Sequence, residues 1–258
     1  MKIFVDAGHN YSGWNTGAIG NGMREQDITF DVSLELGRIL RDHGCEVMLS
    51  RPTLQTNLGT DNAGSINARW QMSNNWGADY FISIHVNAGG GTGAETLYAR
   101  ADSLDFARAV QDVYSAQMQL RNRRVWLRTD LGVLRSTNCP AILLELAFID
   151  SPLANPDVEI LRNKRPEMAA AVTKGVLEYI GITSTPTQSA QPPADVPSTE
   201  TNVNATARFN TIADLPAWAQ PTIEKLVRRG ALQGDGTGLD LSADMVRMFV
   251  VHDRLGVY

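Results

Sequence analysis

Residues 141–148 read AILLELAF, the most apolar stretch of the chain, interrupted once by Glu145. A strand with apolar side chains on both sides must be covered on both faces, and such strands belong to parallel sheets flanked by helices. The rest of residues 1–182 fits that demand. Short apolar segments at residues 2–6, 45–50, 80–86 and 94–99 read as further strands. Between them, apolar residues recur every three or four positions. Ile28, Val32, Leu36, Ile39 and Leu40 precede a stop at Gly44, a helix is expected over residues 62–76, Phe106, Val110, Val113 and Met118 share one side of residues 103–119, and a last helix covers residues 168–180. The alternation predicts an α/β fold, a mostly parallel sheet with helices on both faces, whose chemistry gathers at the strand ends.

Residues 183–206, TSTPTQSAQPPADVPSTETNVNAT, hold four prolines, six threonines and three serines without an aromatic or basic residue. Such sequence buries too little apolar surface to offset its ordering entropy and acts as a spacer. It separates a first domain, residues 1–182, from a small unit, residues 207–258. A net charge of −5 has the wrong sign for neutralising phosphates, so nucleic acid is not an expected partner. The apolar run Ile3-Phe4-Val5 stops at Asp6, short of the roughly 7–15 residues of a secretory signal core, and no later stretch is long and uncharged enough to span a bilayer. The expectation is a soluble product of the cytoplasm with no signal peptide and no membrane anchor. Cys45 and Cys139 stand where strands begin and are expected as buried free thiols.

Two of the four histidines fall at expected strand ends, His9 in Asp6-Ala7-Gly8-His9-Asn10 and His85 in Ser83-Ile84-His85-Val86-Asn87-Ala88. One such histidine is commonly a hydrogen-bonded structural residue, but two on one sheet edge can meet at a point. Glu25 opens the helix that carries Ile28 to Leu40, where a carboxylate also suits the positive end of the helix dipole. Two His and one Glu form a ligand set of catalytic zinc, which leaves a fourth position to water. Their spacing matches no local motif, and the structural and ligand readings of Glu25 stand level. Glu145 is the sharper anomaly, because Glu is almost never buried alone. It either pairs with one of the 17 Lys and Arg residues of the first domain or is a carboxyl of raised pKa that exchanges protons with substrate. His43 and His252 suggest no role. Arg121-Asn122-Arg123-Arg124 reads as a solvated loop ahead of an anionic-polymer contact, and Gly89-Gly90-Gly91 with Gly93 as a loop at a cleft rim.

Together these residues resemble the zinc-dependent N-acetylmuramoyl-L-alanine amidases that lyse bacterial cell walls. The resemblance rests on Gly8-His9 after a first strand, Glu25 at the first long helix, Ser83-Ile84-His85-Val86-Asn87-Ala88, Leu131-Gly132-Val133-Leu134-Arg135, and the apolar segment after Pro140 with Glu145 and Phe148, in that order. It implies Zn2+ on His9, Glu25 and His85, Glu145 as catalytic acid and base, Arg135 and Asn87 as substrate contacts, and bacterial peptidoglycan as partner. Where the family commonly has a Gly and often Asp-Pro-Gly after the first His, this chain has NYSGWNTGA at residues 10–18, and Ala147 stands for a Gly. The implied activity is hydrolysis of the amide between N-acetylmuramic acid and L-alanine, as in a phage or prophage endolysin. A zinc peptidase cutting within the stem peptide uses the same chemistry, whereas a catalytically silent wall-binding protein has no use for all four residues.

Residues 207–258 resemble a single S-layer-homology-like unit through Phe209, Asp214, Trp218-Ala219, Ile223, Leu226, Gly230, Gly234 and Gly238, with helices expected over residues 216–229 and 242–255. This small all-α unit is neutral, and Ile223, Leu226, Val227, Met245, Val246, Phe249 and Val250 exceed what two short helices cover from one side. Wall binding and association with a second copy, giving a homo-oligomer through residues 207–258, are the roles expected of it.

Overall fold

The apolar segment with its lone carboxylate lies inside a six-stranded sheet of the computed structural model, which describes residues 1–182, 208–217, 219–232, 238–242, 245–246 and 249–250. These fall in two units, within Met1–Ala190 and Gln191–Tyr258. The first runs β1 (Lys2–Ala7), β2 (Ile19–Gly20), β3 (Met23–Arg24), α1 (Glu25–Asp42), β4 (Glu46–Leu49), α2 (Asn62–Trp76), β5 (Tyr80–Asn87), β6 (Ala94–Tyr98), α3 (Leu104–Met118), β7 (Asn122–Leu127), α4 (Gly132–Arg135), β8 (Ala141–Phe148), α5 (Pro156–Asn163) and α6 (Arg165–Tyr179). The sheet order is β4-β1-β5-β8-β6-β7, with β4, β1, β5 and β8 parallel, β6 antiparallel to β8, and β7 parallel to β6. This is the expected α/β architecture, and β2 and β3 form a separate antiparallel pair.

Side-chain parity along the strands sorts the molecule into two faces. Ile3, Val5, Ile82, Ile84, Ile142 and Leu144 point into one core with Ile28, Val32 and Leu36 of α1, Phe106 and Val110 of α3, and Val172 and Val176 of α6. Phe4, Phe81 and Leu143 point the other way, against Ile66, Met72 and Trp76 of α2 and Val133 and Leu134 of α4. Asp6, Ser83, His85 and Glu145 share the parity of this second group. The polar ends of three neighbouring strands therefore emerge on the face covered by α2 and the four-residue α4.

The differences from expectation concern short or charged elements. Residues 121–124 are not a solvated loop: Asn122–Leu127 is the edge strand β7, in which Arg123 and Val125 are half-buried. Edge strands accept charge because their outer side faces water. Neither α4 nor α5 is long enough to show a period, and α6 starts at Arg165 because Pro166 suits a first helical turn. Cys45 and Cys139 are free thiols, the first buried and the second half-buried. No helix among the described residues is long and apolar enough to cross a membrane.

The second unit is not all helix. Besides α7 (Gln220–Arg228) it has an antiparallel pair, β9 (Arg208–Phe209) with β10 (Leu241–Ser242), too short to be read from alternation, and Arg208 makes a two-pronged ion pair with Asp240 beside it. Phe209, Leu215, Ala219, Ile223, Leu226, Leu241, Val246 and Val250 form its own core, with Val227 and Phe249 packed against it. Most of the apolar side chains counted as surplus are thus covered within the unit, and Met245 stays 38% exposed. The spacer at residues 183–206, Trp218, Gly234, His252 and much of the second expected helix lie outside the described residues.

One buried ion pair joins the sheet to α2. The Arg69 guanidinium pairs with Asp6, whose other oxygen accepts from the Ser83 hydroxyl. Burial would push the Asp6 carboxyl up, but Arg69 and the hydroxyls of Ser50 and Ser83 prevail and hold it below the usual range. A carboxyl whose pKa falls on folding contributes stability that is complete above its unfolded value, about 3.9, and is lost as pH drops through the folded value. Arg69→Met is expected to cost about 3–5 kcal/mol in urea unfolding at neutral pH and to flatten the loss on the acid side. An unchanged unfolding midpoint would show that the pair does not hold the sheet to α2.

Candidate metal centre

Three side chains from separate elements converge at the ends of β1 and β5. His9 follows β1, His85 is the sixth residue of β5, and Glu25 is the first residue of α1. His9 Nε2 lies 3.0 Å and His85 Nδ1 3.2 Å from Glu25 Oε1, and the imidazoles meet edge to face with centroids 4.7 Å apart. One ligand atom from each residue falls within 4.8 Å of the others, the only such group of His, Cys, Asp and Glu among the described residues. The geometry brings together the three residues named as zinc ligands, and a divalent cation fits the donor set of two imidazole nitrogens and a carboxylate.

Each ligand is oriented by a neighbour. His9 Nδ1 lies 3.3 Å from the Asn15 carbonyl. A carbonyl only accepts, so Nδ1 donates to it, and the ring turns Nε2 toward Glu25. Glu25 turns from its own helix: Oε2 accepts from the Ala18 N–H and Oε1 from the Val86 N–H, both at 2.9 Å. Burial would raise the Glu25 carboxyl, yet hydrogen bonds from His85 and His9 outweigh it and hold the group far below the usual range. Burial lowers the His85 pKa and favours the neutral ring that a metal requires.

Two glycines make room for this arrangement. A Cβ on Gly8 would lie 2.6 Å from His85 Nε2 and from the Ile84 carbonyl, and one on Gly17 would lie 2.7 Å from Glu25 Cβ and 2.8 Å from its Oε2.

Glu145 pairs in register with His85 across β5 and β8. The alternative of an ion pair fails at this residue: its buried Oε2 has no hydrogen-bond partner. Burial, then the charges of Glu25 and Glu95, push its pKa up to about 8, against a smaller opposite effect of Arg128. The nearby cations are engaged elsewhere. Arg123 donates to Glu95 at 2.8 Å and stacks on Phe148, and Arg128 pairs with Asp130.

The two named substrate contacts fare differently. Asn87, at the end of β5, donates to Glu95 Oε1 at 2.8 Å and so joins the row of polar groups beside Glu145. Arg135, exposed at the end of α4, donates to the Thr129 carbonyl and has no hydrogen bond to the His–Glu cluster. Sequence reasoning missed Glu95 and placed Arg123 in a solvated loop. The available signal was a lone carboxylate in the strand Ala94–Tyr98 followed by an arginine-rich segment of alternating burial.

A family model described as N-acetylmuramoyl-L-alanine amidase matches residues 3–178. The chain is 36% identical over 158 residues to the sporulation-specific N-acetylmuramoyl-L-alanine amidase of Bacillus subtilis strain 168, covering 58% of this chain and 57% of that protein. It thus spans little more than half the length of that relative. It is 29% identical over 208 residues to the endolysin of Bacillus phage SPP1, covering 76% of this chain and 72% of that protein. Among solved structures, the catalytic domain of an N-acetylmuramoyl-L-alanine amidase from Bacillus (Paenibacillus) polymyxa var. colistinus superposes with a TM-score of 0.63 at 26% identity, covering 70% of this chain and 99% of that one.

Because a side chain at residue 17 must displace the Glu25 carboxylate, Gly17→Ala should weaken divalent-cation binding at the cluster about 10- to 100-fold with the circular dichroism of the fold unchanged. Calorimetric zinc titration checks it, and wild-type affinity in the variant would remove Gly17 from the positioning of Glu25.

Proposed function

Because the chain belongs to the N-acetylmuramoyl-L-alanine amidase family, whose model it matches over residues 3–178, we propose that it hydrolyses the amide between N-acetylmuramic acid and L-alanine in bacterial peptidoglycan. The observation that carries this reading is the convergence of His9 Nε2, His85 Nδ1 and Glu25 Oε1, with the unpartnered Glu145 Oε2 on the adjacent strand. Zn2+ held by His9, Glu25 and His85 would supply Lewis-acid polarisation of the scissile carbonyl and a water of lowered pKa. A cation there would also draw the Glu145 pKa down from its raised value, leaving a carboxylate able to accept a proton. Glu145 takes that proton from the attacking water and returns it to the alanine nitrogen as the carbon–nitrogen bond breaks. The products are a free muramic-acid carboxyl and a peptide beginning with an L-alanine amine.

Asn87 contacts substrate from beside Glu145, and Arg135 from the rim of the second face. Likeness to a phage endolysin supports cell-wall lysis as the biological outcome, with the enzyme acting on the wall after synthesis in the cytoplasm. Residues 1–182 form the catalytic domain, residues 183–206 the spacer, and residues 207–258 the S-layer-homology-like unit. Because that unit covers most of its own apolar side chains, wall binding is its leading role and homo-oligomerisation the alternative.

His9→Ala, Glu25→Ala and His85→Ala should each abolish stoichiometric zinc by metal analysis, and chelation should stop wall lysis until zinc is restored. Glu145→Gln should retain zinc and lose about 10²- to 10⁴-fold in rate; a zinc-loaded variant of near wild-type rate would exclude Glu145 as acid and base. Mass spectrometry of digested peptidoglycan should find peptides that begin at L-alanine. Cuts inside the stem peptide would instead establish the zinc-peptidase reading. Light scattering of the full chain at high micromolar concentration should show a monomer, and a dimer would reinstate self-association.

A further inference from the structure

The loop that carries His9 leads into an open cleft with no part in the mechanism above. Gly13, Trp14, Asn15 and Thr16 of that loop and Asn62 and Ile66 of α2 line about 510 Å³. Trp14 is 59% exposed. It does not hang on a loose tip. Asn10 N–H donates to the Asn15 carbonyl at 2.9 Å, the Asn15 amide donates to Ser65 Oγ at 3.0 Å, and Ser12 N–H donates to Asn57 Oδ1 at 3.0 Å. The chain thus spends several hydrogen bonds on a turn that holds an indole in water, where burial gives it no stability.

Asn15 links this cleft to the metal centre, because the same residue that lines the cleft orients His9 through its carbonyl. A group lying on Trp14 is therefore one residue along the chain from the carbonyl that holds His9. The walls are amide, hydroxyl, indole and aliphatic, with no charged side chain. By contrast the sheet beyond Glu145 carries charged side chains, Arg123 of β7 paired with Glu95 and Arg128 just after β7 paired with Asp130. The two parts of the proposed substrate differ in the same way. An N-acetylated sugar ring is uncharged over most of its surface, with one face of C–H groups and a rim of hydroxyl and acetamido groups. The stem peptide carries carboxylates.

We propose, resting on the amidase reading, that the Trp14 cleft is a subsite for an N-acetylated hexose of the glycan strand, stacked on the indole and hydrogen-bonded at its rim by the Asn and Thr side chains. The stem peptide leaves the metal centre in the other direction, toward the charged side chains at β7. An indole offers a large rigid apolar face at little conformational cost, which suits a ring held on one side only.

The test measures binding apart from turnover. Zinc-loaded full-length wild type, Trp14→Ala and Trp14→Phe are titrated by ligand-observed NMR with a peptide-free tetrasaccharide of alternating N-acetylglucosamine and N-acetylmuramic acid, and separately with a sugar-free stem peptide. Trp14→Ala should weaken tetrasaccharide binding about tenfold, leave stem-peptide binding and zinc content as in wild type, and raise KM on muropeptides more than it lowers kcat. Trp14→Phe should recover much of the loss. Equal tetrasaccharide binding by wild type and Trp14→Ala, or a loss that falls on the stem peptide, would overturn the subsite. A wild type that holds the tetrasaccharide through Trp14 yet releases no alanine-ended peptide would strike the amidase reading and leave the cleft assignment standing.

Discussion

The geometry of the candidate metal centre depends on one strained turn at the end of β1. His9 has φ +66°, a left-handed conformation that costs a residue with a Cβ about 1–2 kcal/mol. Every carbonyl through the turn is gripped from the interior: Ala7 O and His9 O by Arg69, Gly8 O by Arg51 and the Thr29 hydroxyl. Arg69 has Asp6 as counter-ion, whereas Arg51 is fully buried with only carbonyl acceptors at Gly8, Gln26 and Leu54 and the Phe30 ring beneath it. Burial and the charge of Arg69 push the Arg51 pKa down to about 10. Two buried guanidiniums are a costly way to satisfy three carbonyls, and the turn they fix is the one from which His9 reaches Glu25. Strain held by its surroundings at the site of chemistry is the usual place to find it.

The second face collects carboxylates with unequal compensation. Asp6 has Arg69 and Glu95 has Arg123, while Glu25 has backbone N–H groups and two imidazoles, and Glu145 has no partner at Oε2. The deficit of positive charge falls where the two imidazole nitrogens and Glu25 converge. A protein of stable internal pairing would place a Lys or Arg there. Two imidazoles face Glu25 instead, and a cation bound among the three would offset the charge deficit.

Much of this was legible in residue order because strand parity and helix period are local. The period of Ile28 to Leu40 gave α1, the apolar run gave β8, and the solitary Glu145 announced a side chain that folding alone could not explain. His9 and His85 could be named because strand ends on one sheet edge are near one another in any such fold. Glu25 was undecided for a physical reason: a carboxylate in a first helical turn serves the helix equally well, and its turn toward Ala18, Val86 and the two imidazoles is set by tertiary contacts that residue order does not show. The edge strand β7 was hidden because arginines on an edge look like a solvated loop. The pairing of β9 with β10 was hidden because two residues show no alternation.

The reversal of β6 explains why Glu95 and Arg123 reach the same edge as His9, Glu25 and His85. In an all-parallel sheet, residues at the start of a strand lie at the opposite edge from those at the ends of its neighbours. Here β6 runs antiparallel to β8, so Glu95 near its start faces Glu145 near the end of β8, and β7, parallel to β6, brings Arg123 alongside. The chain makes this turn through residues 88–93, which must pass close to a ring and to another backbone segment: a Cβ on Gly91 would lie 2.5 Å from the Phe148 ring, and one on Gly93, at φ +98°, 2.3 Å from the Arg121 carbonyl. The glycines after His85 therefore build the site from outside it. They let the chain double back within a few residues, and the doubling back puts a fixed row of Asn87, Glu95 and Arg123 beside Glu145.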